Sequence, residues 1–170
     1  MIRRTTGTVG TMGWIAALAF GLAVFANPAY ALTAGEAASV VAVIEQMQPD
    51  LGKVAYDDDE ADSVFEDDSA GRGLIAKAGF SRETWRTAFD ATLKGFMAVI
   101  PDAELEAMFD TLRARAAGGE NLTAEQKQAV TDMVEEQYQI IAKLRDQGRT
   151  HKEIVRPLEA RLRRLVPMVE

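Results

Sequence analysis

The densest cluster of reactive side chains in this 170-residue chain is YDDDEADSVFEDD, residues 56–68, with eight carboxylates and no positive charge. Acids this close repel one another, by roughly 1 kcal/mol per pair at 4 Å even in bulk water, so an ordered arrangement needs compensation. A divalent cation is one source. Taken as a calcium loop from Asp57, the run has acids at positions 1, 3 and 12 (Asp57, Asp59, Asp68), but Ala61 falls where a ligand belongs and Asp62 where glycine makes the turn. An EF-hand is excluded, which reduces the cation reading to an irregular, weak Ca²⁺ or Mg²⁺ site drawn from Asp57, Asp59, Asp62, Glu66 and Asp68. A basic surface is a second source. Lys143 to Arg164 holds eight lysines and arginines against Asp146, Glu153 and Glu159, a local excess of +5. Asp57, Asp58, Asp59 and Glu60 on one side and Arg156, Arg161, Arg163 and Arg164 on the other are the candidate contact residues, within one chain, between protomers or with a partner. Such a contact weakens as salt rises. The third outcome is a hydrated connector over 56–70, with Val64 and Phe65 as an apolar pair suited to anchoring on a core.

Catalytic constellations are absent from the sequence pattern. His151 is the single histidine, set between Thr150 and Lys152 at an expected helix start, where a solvated side chain is predicted. There is no Gly-x-Ser-x-Gly elbow, no phosphate-binding glycine loop and no Walker pattern. Carboxylate pairs alone could serve a glycosidase, but helical spacing fixes no separation between them. Cysteine is absent, which removes disulfides, thiolate ligands and thiol nucleophiles.

The elements that must position these groups begin after an address. Arg3 and Arg4, the apolar run Trp14 to Ala26 and the small-x-small site Ala29-Tyr30-Ala31 predict a signal peptide over 1–31, cleaved after Ala31 and exported by the Sec route. The apolar run is too short for the roughly 20 residues that span hydrocarbon. Removal takes two arginines and no acids, leaving 17 bases against 26 acids over 139 residues, a net −9 of which −8 lies in Asp57 to Asp68. The remainder is almost neutral and offers nucleic acid no basic footprint.

Helical periodicity runs through residues 32–170, read as a single domain. Thr33-x-x-Glu36 is a capping box ahead of Ala37, Val40, Val41, Ile44 and Met47, with Pro49 closing the run. Leu74, Ile75 and Ala78 form a short helix ended by Gly79, with Phe80 folding back as in a Schellman cap. Ser81 caps the clearest element, whose buried face is Trp85, Ala88, Phe89, Thr92, Leu93, Phe96, Met97 and Ile100, stopped by Pro101. Leu105, Met108, Phe109 and Leu112 trace the next helix, to Gly118-Gly119. Thr123-x-x-Gln126 opens a long one whose stripe is Val130, Met133, Val134, Ile141 and Leu144, ending at Gly148. Thr150-x-x-Glu153 opens the last region, with a kink or fresh start at Pro157. No period-two alternation is sustained, so the fold class is all-α, a bundle of about five or six amphipathic helices.

Leu122-Thr123-Ala124-Glu125-Gln126 resembles the signature of the periplasmic LTxxQ-motif family, the Spy-like envelope-stress chaperones. The resemblance covers five residues and the setting: small, exported, cysteine-free and helical. It implies a thin all-α dimer that cradles unfolding clients on a concave surface, normally with two copies of the motif. Leu32-Thr33-Ala34-Gly35-Glu36, in the place of a second copy, has glutamate where the motif has glutamine. By physics alone, Thr123 and Gln126 are a capping box, worth on the order of 1 kcal/mol to any helix.

The expectation is therefore a periplasmic or secreted helical protein that acts by binding envelope proteins or unfolded clients, as a monomer or homo-oligomer, without chemistry of its own. Divalent-cation binding through 57–68 is the alternative, and a hydrolase of unknown type the third reading.

Overall fold

The computed structural model describes residues 31–54, 56, 59–119 and 122–166. The expected signal peptide, up to residue 30, and Asp57 and Asp58 lie outside the described residues. Among those described, there is no strand, and no helix is long and apolar enough to cross a membrane.

Five longer helices and a segmented C-terminal region make the fold: α1 (Ala34–Leu51), α2 (Glu60–Ala70), the single turn α3 (Leu74–Lys77), α4 (Arg82–Val99), α5 (Asp102–Gly118), α6 (Ala124–Gly148), then α7 (Lys152–Val155) and α8 (Glu159–Leu165) joined through 3-10 turns. Three of the starts are reciprocal capping boxes: Thr33 with Glu36, Ser81 with Thr84, and Thr123 with Gln126. Pro49 sits in the last turn of α1 without ending it. Gly52 ends it, at φ 75°. The predicted Schellman closure is present, with Gly79 at φ 91° and the Phe80 N–H donating to the Ile75 carbonyl at 3.1 Å.

The spine is α4. Every residue of its predicted face is buried, Thr92 turning its hydroxyl onto the Ala88 carbonyl at 2.7 Å. Around it pack α1, α2, α6, α7 and α8. Burial extends beyond that face to Ala91, Gly95, Ala98 and Val99, because α6 and the C-terminal region close over the other side. Two glycines permit this closure. A Cβ on Gly148 would lie 1.9 Å from the Lys94 carbonyl oxygen, and one on Gly95 would lie 2.7 Å from Val155 Cγ2 and 3.0 Å from His151 Cβ. At this crossing, backbone meets backbone.

Two expectations about the C-terminal region change. Thr150 is not a cap: α7 is preceded by His151 in a 3-10 turn continuing from α6, and no side chain caps it. Pro157 makes the expected fresh start: α7 ends at Val155, Pro157 stands among the first positions of the second 3-10 turn, Arg156–Leu158, and α8 begins at Glu159. His151 is half-buried rather than solvated, since it packs against Gly95.

Candidate functional site

From Glu60 onward the acidic stretch is a helix. Three features compensate its charge. Glu60 and Asp62 lie in the first turn of α2, where the helix dipole favours acids. Arg82, in the first turn of α4, donates to Asp62 at 2.7 Å and to Glu66 at 2.6 Å, with Arg86 at 3.8 Å from Asp62. The Arg82 guanidinium holds the Asp62 carboxyl below its usual range and also stands 5.7 Å from the centre of the Phe65 ring. Asp68 is turned inward, 4% exposed, accepting from the Leu74 and Ile75 backbone N–H groups at 2.9 and 2.8 Å. It thereby caps α3 with both oxygens. Val64 is buried, Phe65 packs on the core, and the Trp85 indole N–H donates to the Ala61 carbonyl at 2.9 Å, so α2 is tied to α4 along its length.

The residues proposed for a cation thus point to different tasks. Asp59 stands at the N-cap position of α2, Asp62 and Glu66 face Arg82, and Asp68 faces α3. Among the described residues no three carboxylate or imidazole groups are arranged to hold an ion. Among the described residues, the acids seen paired with the C-terminal arginines lie on α1, α5 and the C-terminal region itself. Arg161 grips Glu45 of α1 through two bonds of 2.9 and 2.6 Å, and Arg164 stands 3.8 Å from the same carboxylate. Arg163 joins Glu104 of α5 at 2.6 and 3.0 Å to Glu159, while Arg156 pairs with Glu153. The Arg161 hydrogen bonds lower the Glu45 pKa, and those of Arg163 lower that of Glu104. Arg82 and Arg86 are the cations that sequence reasoning missed. The signal of Arg82 was legible: an arginine in a helix's first turn opposes the dipole and calls for an acid.

The other notable surface is the pair α5–α6. Here the apolar seam is thin. Leu105, Phe109 and Ala116 are the buried residues of α5, and Leu144 and Gly148, at the bundle end, those of α6. The half-buried Val130, Val134, Tyr138 and Ile141 face α5, with the Tyr138 ring edge-on to Phe109 at 5.1 Å. Arg113 lies 5.2 Å from the Tyr138 ring centre and ties Asp110 to Glu135 at 3.0 and 3.1 Å. Met133, expected in this stripe, is instead 60% exposed, because a stripe wide enough to include it exceeds what one partner helix covers. Ile140 at 43% and Leu122 at 37% are the other exposed large apolar residues among those described, and all three belong to α6 or its lead-in. Leu122 is laid over Gly119 at the turn between the helices.

Where this arm joins the bundle, a cleft of about 630 Å³ opens over Ala98, Leu105 and Ala142. Its polar groups are engaged in holding the joint. Arg145 donates to the Met97 and Ile100 carbonyls at 2.9 and 2.6 Å, closing the C-terminus of α4, and pairs with Asp102. Tyr138 donates to Glu106, a bond that raises the phenol's pKa rather than freeing a nucleophile. No buried side-chain nitrogen or oxygen among the described residues lacks a partner.

No protein-family model, curated protein or solved structure matches the chain. The threonine and glutamine of the Leu122–Gln126 stretch are seen bonding reciprocally, the Gln126 N–H to Thr123 Oγ1 at 3.2 Å and the Thr123 N–H to Gln126 Oε1 at 2.9 Å.

Proposed function

We propose that this chain is an exported helical binding protein that engages other polypeptides through the α5–α6 arm. The observation that carries the reading is the placement of exposed apolar surface. Met133 and Ile140, two turns apart on one line of α6, and Leu122 at its lead-in all belong to the arm, where the α6 side of the seam is only half-buried, whereas the faces of α1 and α4 are closed. Exposed apolar groups collected in one place mark interaction surfaces, and methionine adapts to varied partners. Export rests on the N-terminal charge, apolar run and cleavage pattern. Binding of unfolded clients is also what the five-residue likeness to the Spy-like family suggests. The test is suppression of aggregation, with reduced insulin as client at equimolar ratio. The wild-type protein is expected to delay light scattering, and the double variant Met133→Glu/Ile140→Glu to lose that effect while melting as the wild type does. Unchanged aggregation with the wild type, or equal protection by the variant, overturns the reading.

A further inference from the structure

The chemistry surrounding the exposed residues restricts what the arm can take. At 3.6 residues per turn, Ala129, Met133 and Ile140 of α6 fall along one line. Glu125, Asp132 and Glu136 form the strip beside it, on the side away from the α5 seam, until Lys143 closes the strip at the bundle end. Among the described residues no cation forms an ion pair with these three acids, and Asp132 only accepts from Gln128, at 2.8 Å. Arg113, the arm's best-placed cation, is already held by Asp110 and Glu135. Over 102–142 the described residues include eight acids, two of them (Asp102 and Glu104) paired with Arg145 and Arg163 from beyond this stretch, against Arg113, Arg115 and Lys127. An apolar ridge is therefore bordered by uncompensated negative charge.

Resting on the reading of the arm as a protein-binding surface, we propose that its partner is a basic amphipathic helical segment of another polypeptide. Its apolar residues, recurring every three or four positions, would lie on Met133 and Ile140, and its lysines or arginines would pair with Glu125, Asp132 and Glu136. A helix laid on an apolar face with charges at its border is a recurring mode of recognition. Opposite charges beside the ridge set its preference, since like charges at the same positions repel.

The experiment uses the full chain, expressed with its own N-terminal segment and purified as the cell processes it. The probe is a fluorescein-labelled 18-residue peptide of leucines and lysines at helical spacing, compared by anisotropy with the same pattern carrying glutamates for lysines. The lysine peptide is expected to bind roughly tenfold tighter or more, a ratio that follows from two or three surface charge pairs, and to weaken with salt. Asp132→Lys/Glu136→Lys should reverse the preference, and Met133→Ser/Ile140→Ser should weaken both peptides. Equal affinity for the two peptides, or an unreversed preference in the lysine variant, overturns the inference. So does sedimentation showing that the chain covers Met133 and Ile140 with a second copy and binds neither peptide. Aggregation suppression that persists while neither peptide binds would end this inference alone and leave the proposed function standing.

Discussion

Replacing Asp68 with alanine should destabilise the protein by about 3 kcal/mol, although Asp68 belongs to a stretch whose acids repel one another. Its two carboxylate oxygens accept from the backbone N–H groups of Leu74 and Ile75 at 2.9 and 2.8 Å, in a site that is 4% exposed. A hydrogen bond to a charged group contributes about 1.5–3 kcal/mol, and alanine leaves the Ile75 N–H buried without a partner. Taking the lower end for each bond gives about 3 kcal/mol, or roughly 10 °C in melting temperature for a domain of this size. Asn keeps one acceptor oxygen, so Asp68→Asn should cost about 2 kcal/mol. The neighbour Asp67 is exposed, and Asp67→Ala should change stability by no more than about 0.5 kcal/mol. Urea unfolding followed by circular dichroism at 222 nm provides the comparison. If charge repulsion outweighed capping, both alanine variants would be stabilised alike. Equal effects at 67 and 68 would refute the assignment of Asp68 as a buried cap.

Other consequences follow from the crossing of α4 with α6 and the 3-10 turn beyond it. Gly148→Ala places a methyl against the Lys94 backbone, whereas Gly95→Ala meets the Val155 side chain and the His151 Cβ, so both should cost about 1–3 kcal/mol with Gly148 the more severe in a denaturant series; the reverse order would contradict the packing. His151 has its pKa lowered from 6.5 chiefly by burial, with Asp90 drawing a proton on and Lys94 opposing it. The unfolded chain then binds the proton more readily, so stability is fully present above about pH 6.5 and declines as pH falls through the lowered value. His151→Gln should remove this slope, while losses below about pH 5 persist in both proteins because Glu45, Glu104 and Asp62 have lowered pKa values. Parallel melting curves between pH 7 and 5 would rule out the His151 contribution.

The helices were largely legible because their determinants are local. Ser81, the run from Trp85 to Ile100 and Pro101 state where α4 begins, what it buries and where it stops, and Gly79-Phe80 specify the preceding turn. What escaped the sequence depends on neighbours distant in the chain. Glycines such as Gly95 and Gly148 carry no side chain to show periodicity, yet Gly148 sets how closely α6 approaches α4, and Gly95 how closely His151 and Val155 do. The acids of 60–68 look alike in sequence, but Arg82 engages Asp62 and Glu66 while α3 engages Asp68. Met133 shares helical spacing with Val130 and Val134, and only the width of α5 decides that it stays outside the seam.

Methionine methyl NMR of the chain with a polypeptide client tests the binding arm most directly, because the fold contains its own controls. Met133 is 60% exposed, whereas Met47 and Met97 are 4% and 6% exposed in the core. Addition of reduced insulin B chain is predicted to shift or broaden the Met133 methyl signal and leave those of Met47 and Met97 in place. Bound client with an unperturbed Met133 signal would contradict the account.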